Sequence, residues 1–127
     1  MAQNVPSEAH YSNLTSLVLS QDEKYIVSLS ESGEMRLWRH EGWTMVDLLA
    51  SLSLGNTNTR ICKTESNRII LESETEFSQY SFDFNGFVLN GRVTKPYKTL
   101  TNSTMIIGNT IFSGDNDGSI RIYTFNE

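Results

Sequence analysis

Residues 10–39 read HYSNLTSLVLSQDEKYIVSLSESGEMRLWR and decide the fold. Three short runs, 14–20, 24–30 and 34–39, are rich in the aliphatic, aromatic and threonine side chains that strands favour. The polar clusters QDE and ESG separate these runs, and residues of these types are typical of turns. The stretch therefore predicts three antiparallel strands joined by tight turns.

The same pattern recurs along the chain with a period of 42–43 residues. Trp38, Tyr80 and Tyr123 each close a strand, at spacings of 42 and 43 residues. Gly33 and Gly118 precede two of these strands and lie 85 residues apart, and so do Ser28 and Ser113. A repeat of this length with four short strands per period is typical of a β-propeller blade.

The first and third repeats resemble those of the WD-repeat propellers. The family pattern runs from a histidine through Ser-Pro-Asp-Gly to a serine, a turn Asp-Gly and a strand-end tryptophan. In that family these polar side chains and the tryptophan form a hydrogen-bonded set. Carried over to this chain, the resemblance assigns the set to His10, Ser28, Trp38, Ser113, Asp117 and Tyr123. The middle repeat keeps Tyr80 and the strand spacing.

The strand map predicts an all-β fold, a partial β-propeller of about three four-stranded antiparallel blades. The blades are expected over 14–49, 59–93 and 103–125, and the last lacks its fourth strand. We interpret the whole chain, 1–127, as a single propeller domain or part of one. Residues 45–54 also fit a short helix, but the repeat favours a strand there.

Three blades are fewer than the four to eight of known propellers. Two chains could join head to tail as a homodimer that closes a six-bladed ring, with residues 2–9 of each chain completing the partner's third blade. Alternatively, the chain is a piece of a longer propeller, or another protein completes it. The sequence leaves all three possibilities open.

Charge and cysteine content limit the possible partners and location. The net charge is −5 and the pI about 5.0, so neither nucleic acid nor a membrane surface is an expected partner. A single cysteine, Cys62, cannot form an internal disulfide, and residues 1–10 do not resemble a signal peptide. We expect an intracellular protein, cytoplasmic or nuclear.

No pattern in the sequence indicates an enzyme. Catalytic, cofactor-binding and metal-binding motifs are missing, so we expect no catalytic residues, no cofactor and no metal. Cys62 falls on an inner strand of blade two and is interpreted as a small buried side chain. The acidic run ESETE, 72–76, is interpreted as a turn carrying solubilising charges, because it lacks the order of a calcium loop.

The WD-repeat resemblance implies a non-enzymatic scaffold that binds partner peptides or domains on a propeller face. Family positions that face partners fall on Asn13, Thr15, Glu31 and Asn116, and Trp43 is an additional candidate because the repeat does not explain it. The alternative is an oligomeric propeller that binds a sugar or another small ligand between its blades. Such a protein would repeat the same aromatic and polar residues in every blade, and these blades differ.

Overall fold

The computed structural model describes residues 12–41, 44–55, 59–98, 101 and 103–125. These residues form eleven strands: β1 (Leu14–Leu19), β2 (Tyr25–Ser30), β3 (Glu34–Glu41), β4 (Thr44–Ser53), β5 (Arg60–Glu65), β6 (Arg68–Glu72), β7 (Glu76–Asp83), β8 (Gly86–Thr94), β9 (Ser103–Ile107), β10 (Thr110–Gly114) and β11 (Ile120–Thr124). The part of the chain described here contains no helix.

The strands form three antiparallel meanders in chain order. Blade one has the order β1-β2-β3-β4, and blade two has the order β5-β6-β7-β8. Blade three contains β9-β10-β11, and among the described residues β11 pairs only with β10. The predicted all-β architecture of partial propeller blades is confirmed.

The segment that also fits a helix is a strand. β4 runs over Thr44–Ser53 and pairs with β3 along its whole length, so it extends beyond the predicted end at residue 49. Two register shifts interrupt this pairing, one between Leu37 and Trp38 and one between Arg39 and His40. The bulges change the alternation of side chains along the strand, which gives a spacing that resembles a helical face.

The core lies between the blades. Side chains of blades one and two form one cluster: Val27, Leu29, Met35, Leu37, Ile69, Leu71, Tyr80 and Phe82. Blades two and three share a second cluster of Ile70, Phe77, Ile111 and Phe125. Blade two buries both faces, which explains why its strand Arg68–Glu72 is apolar on successive residues rather than on alternate ones.

Equivalent turns give blades one and three the same geometry at one edge. Gly33 has φ 85° and its N–H donates to the Ser30 carbonyl at 3.0 Å. Gly118 has φ 83° and its N–H donates to the Asp115 carbonyl at 3.1 Å. Both turns need a residue with positive φ, which glycine adopts without a steric penalty. We call the edge that carries these turns the linker edge, because the chain passes between blades there.

The opposite edge has a turn in which a glutamate takes the family's glycine position. Ser20 Oγ donates to the Asp22 carboxylate at 2.6 Å, and the N–H of Lys24 donates to the same carboxylate oxygen at 3.1 Å. Within this turn Glu23 has φ 63°. The left-handed conformation costs an L-residue about 1–2 kcal/mol, so this turn stores strain.

Glu23→Gly should therefore stabilise the fold. We expect the free energy of unfolding to rise by about 0.5–1 kcal/mol, because relief of strain outweighs the added freedom of the unfolded chain. Urea unfolding followed by tryptophan fluorescence measures the change. The control is Gln21→Gly in the same turn, where φ is not positive, and it should destabilise by about 0.5 kcal/mol. Equal shifts for both variants would contradict the strain at residue 23.

Candidate functional site

The signature of the first repeat is a direct hydrogen bond across blade one. Trp38 Nε1 donates to Ser28 Oγ at 2.9 Å. Ser28 is buried on β2, and Trp38 lies on the neighbouring strand β3 with Ile26 as its cross-strand partner. The bond satisfies an indole N–H and a buried hydroxyl together, which both groups require. His10 lies outside the described residues.

A serine takes the place of the family's turn aspartate in this blade. Ser32 Oγ lies 2.8 Å from Ser30 Oγ, and Ser12 Oγ donates to Ser32 Oγ at 3.1 Å. These contacts join the start of β1 to the turn between β2 and β3. The serine therefore links the inner strand to the linker edge through neutral hydrogen bonds.

The third blade distributes its predicted residues differently. Ser113 and Tyr123 lie on the same face, because Ser113 pairs with Arg121 and Ile111 pairs with Tyr123. The Asp117 carboxylate accepts the N–H of Ser119 at 2.9 Å and pairs with Arg121 at 3.5 Å. Hydrogen bonds from the Ser119 hydroxyl, the larger cause, and from the Ser119 N–H hold the pKa of Asp117 below its usual range. Burial raises the pKa of Tyr123, helped by the negative charge of Asp115.

Arg121 contacts both blade three and the segment that joins blade two to blade three. Its Nε donates to the buried carboxylate of Asp115 at 2.6 Å, and its guanidinium lies 4.5 Å from the centroid of the Tyr97 ring. Tyr97 comes from the segment that joins blade two to blade three. Ion pairing and cation–π stacking together fix that segment against the third blade.

Four of the five predicted partner-facing residues are described, and all four lie exposed at the linker edge. The Asn13 carbonyl accepts the N–H of Glu31 at 2.8 Å, so these two residues are neighbours. Thr15 lies at a bulge in β1, where its hydroxyl donates to the Leu29 carbonyl at 3.2 Å. Asn116 occupies the equivalent turn of blade three. Trp43 lies outside the described residues.

At the linker edge of blade two, acidic side chains form ion pairs. Glu74 pairs with Lys98 at 3.4 Å, and Glu76 pairs with Arg92 at 3.4 Å. A partly open cavity beside them has a volume of about 20 Å³, and its lining includes Leu54 and Tyr80. This volume holds about one water molecule and is far below that of a metabolite site. The edge is therefore a polar surface rather than a small-molecule pocket.

The acidic run ESETE contains a residue that sequence reasoning missed. Glu72 is fully buried at the end of β6. The sequence alone predicts a solvated turn for the whole run 72–76. Its carboxylate accepts from Lys95 Nζ at 2.6 Å, Arg60 Nε at 2.8 Å, and both the N–H and the hydroxyl of Thr101 at 3.0 Å. The solubilising interpretation is therefore wrong for Glu72, because buried partners replace water around its carboxylate.

These four residues, Glu72, Arg60, Lys95 and Thr101, form what we call the Glu72 cluster. The cluster joins blade two to the segment between β8 and β9, because Lys95 and Thr101 both belong to that segment. Lys95 is itself buried, and its Nζ also donates to the Ser73 carbonyl at 2.8 Å. One feature of the sequence could have indicated this burial. Glu72 directly follows the apolar run Ile69–Leu71, where a buried strand would end. The cluster is a structural clamp rather than a reactive site, since four donors satisfy the carboxylate.

Cys62 lies at a bulge on β5. The repeat predicted that this residue belongs to the inner strand of blade two, and β5 is that strand. Burial raises the pKa of its thiol to about 11, and the negative charge of Glu72 contributes to the shift. The thiol Sγ lies 3.9 Å from Glu72 Oε1. Since the thiolate is the reactive form, Cys62 is a poor nucleophile at neutral pH.

Alkylation kinetics test this environment. In the folded protein at pH 7.5, iodoacetamide should modify Cys62 at least about 100-fold more slowly than a free cysteine, because the thiolate fraction falls tenfold per pKa unit. The measurement is mass spectrometry of quenched time points. The urea-unfolded chain is the control and should react at the ordinary rate. A folded rate within a few-fold of the unfolded rate would contradict the assignment.

Two absences concern the part of the chain that the structure describes. Within those ranges, no three His, Cys, Asp or Glu side chains come together as ligands for a metal ion. Nor do the described residues include a helix long and apolar enough to cross a bilayer.

The fold and the Ser28–Trp38 bond define a partial β-propeller with a WD-type first blade. The family model of the WD domain, G-beta repeat, matches residues 4–39. The resemblance of this stretch to a WD repeat is therefore confirmed. Proteins with this repeat are typically non-enzymatic interaction scaffolds.

Solved structures are similar to the chain. The computationally designed Ika4 protein, in its crystal structure, is 15% identical with a TM-score of 0.53, and the match covers 99% of this chain and 100% of that one. At this identity the likeness shows the fold alone. No curated protein matches the sequence.

Proposed function

We propose that this chain is a non-enzymatic interaction scaffold that binds partner peptides or domains on the linker edge of its blades. The WD repeat at residues 4–39 is the observation that carries the proposal, because proteins with this repeat generally hold partners. The single cysteine and the acidic pI favour a cytoplasmic or nuclear location, and they argue against nucleic acid and membranes as partners.

The proposed contact surface is the set Asn13, Thr15, Glu31 and Asn116, which we call the edge set. Its members are exposed, and a main-chain bond between Glu31 and Asn13 holds two of them together. Rigid positioning of exposed side chains lowers the entropy that binding must overcome. Three neutral polar residues and one acid suit a partner segment that offers hydrogen-bond donors.

The test compares two surface variants that both leave the core intact. The first combines Asn13→Ala, Glu31→Ala and Asn116→Ala in the edge set. The matched control combines Gln21→Ala and Ser66→Ala, which are exposed on the opposite edge. Each variant and the wild type are used to capture proteins from a cell extract, with quantitative mass spectrometry of what is retained.

A supporting result is a partner that binds the wild type and the control equally but falls at least about tenfold with the edge-set variant. That ratio corresponds to about 1.4 kcal/mol of binding free energy, which a few interface side chains supply. Capture of the same proteins by all three would contradict the proposed surface. Circular dichroism of each variant establishes that all three are equally folded.

A further inference from the structure

Blades one and three each have a broad face that none of the described residues covers. The face of blade three is apolar: Met105, Ile107, Phe112, Ile120 and Ile122. We call it the trailing face. The face of blade one carries Leu14, Leu17, Leu19, Ile26, Trp38 and Leu48, and we call it the leading face. Ile120 is 77% exposed and Leu17 is 66% exposed, values that are unusual for aliphatic side chains grouped on one sheet.

The trailing face repeats the side of blade one that is buried against blade two. Phe112 pairs across the strands with Ile122, as Val27 pairs with Leu37 85 residues earlier. Ile120 likewise takes the position of Met35. Val27, Met35 and Leu37 are fully buried in the core between blades one and two. The trailing face therefore has the side chains of an inter-blade contact at the same register positions.

The leading face repeats the side of blade two that packs on blade one. Ile26 pairs with Trp38, as Ile69 pairs with Tyr80 in blade two. Leu17 takes the position of Ile61, which packs against the core between these blades. The two uncovered faces are thus equivalent to the two halves of the interface that the chain forms between blades one and two.

We propose that the trailing face of one chain packs on the leading face of a second copy. The contact is heterologous, because two different faces meet. A rotation of 180° then forms the same contact twice, so two chains of three blades close a ring of six. Six blades lie within the range that propellers adopt.

Charge favours a second copy as the occupant of both faces. The trailing-face side chains are uncharged, so an apolar partner surface covers them best. On the leading face, the charged Arg36 already pairs with Glu34 at 2.9 Å. Because Arg36 keeps its carboxylate partner, covering it does not leave an isolated charge, which is the costlier case when ionic groups are buried.

The first experiment measures the solution mass of the wild type by light scattering over a hundredfold range of concentration. The expected result is twice 14.4 kDa, independent of concentration. A monomer would overturn the proposal and would point to a further segment or another protein as the cover. A mass that grows with concentration would overturn the closed ring in favour of an open chain of copies.

Charged variants on each face test which faces meet. Leu17→Glu alters the leading face and Ile122→Lys alters the trailing face. In the ring every contact uses both faces, so each variant alone should be monomeric. Both positions are exposed in the single chain, so each variant should keep the strand signal of the wild type in circular dichroism. Persistence of the dimer in either variant would overturn the pairing of these two faces.

Mixing the two monomeric variants is the decisive step. The mixed pair has one unaltered contact and one contact in which Glu and Lys oppose each other, so a dimer containing one copy of each should form. Native mass spectrometry with one variant isotopically labelled identifies that composition. The matched control, Phe84→Lys on an exposed turn of blade two, should leave the wild-type dimer unchanged. Failure of the mixture to pair, after both variants alone are monomeric, would overturn the proposal.

Discussion

Glu72→Ala should lower the free energy of unfolding by about 3–5 kcal/mol, the range for removing one partner of a buried ion pair. The variant leaves the Lys95 ammonium buried without its carboxylate, since both side chains are fully shielded from solvent. It also removes the acceptor that fixes Thr101 and hence the segment leading into blade three. Urea unfolding at pH 7, followed by tryptophan fluorescence, measures the loss.

Two companion variants separate this effect from a general effect of charge. Glu74→Gln removes an acid two residues away that pairs with Lys98 at the surface, and it should change stability by less than about 1 kcal/mol. Glu72→Leu combined with Lys95→Met should recover part of the loss, because apolar replacement of both partners avoids an isolated charge. A loss below about 1 kcal/mol for Glu72→Ala would contradict the clamp.

The same carboxylate makes stability depend on pH. Burial by itself would raise the pKa of Glu72, but hydrogen bonds from Lys95, Thr101 and Arg60 outweigh it and hold the pKa below its usual range. The stabilisation is therefore complete above the unfolded pKa of about 4.3, and it disappears as the pH falls through the lower folded value. Between pH 5 and 3, wild-type stability should decrease more steeply than that of Glu72→Gln. Parallel slopes would show that other groups control acid sensitivity.

Phe77→Ala should cost about 3–5 kcal/mol, the usual range for truncating a buried phenylalanine. Phe77 is fully buried in the contact between blades two and three. Its ring centroid lies 5.2 Å from that of Tyr123, and Lys95 Nζ lies 4.9 Å above the ring. Truncation therefore leaves a cavity and also removes an aromatic contact and a cation–π contact. Urea unfolding by circular dichroism measures the effect.

The controls for this prediction are a smaller change at the same site and the same change elsewhere. Phe77→Leu keeps most of the buried volume and should cost about 1–1.5 kcal/mol. Phe84→Ala removes an exposed ring from a turn of blade two and should stay within about 0.5 kcal/mol. If the two alanine variants were equally destabilised, the contact between blades would not be the cause.

The strands were predictable because their turns carry specific chemistry. Gly33 and Gly118 mark turns that need positive φ, and the sequence places both in register with the strand-end aromatics. The order of strands within each blade then follows, because short turns force neighbouring strands to pair. The Ser28–Trp38 bond follows from the family resemblance, whereas the roles of the other predicted residues of the hydrogen-bonded set stay predictions.

The burial of Glu72 could not be predicted from its neighbours in sequence. It depends on Lys95 and Thr101, which lie in a segment that reads as a polar linker and reaches the carboxylate only in the folded chain. The length of β4 was underestimated for a related reason, because its bulges against β3 disturb the period of two that identifies a strand. In both cases tertiary contacts override the local pattern.

One position in the repeat differs in a way that affects the two contacts between blades. Leu29 of blade one and Glu72 of blade two share that position, so the first contact is apolar and the second contains an ion pair. Apolar contacts weaken on cooling, whereas ionic contacts weaken in acid. Cold should therefore loosen blade one first and acid should loosen blade three first. The two ends of the arc would then respond to different physical conditions, and a single molecule could lose either end while retaining the other.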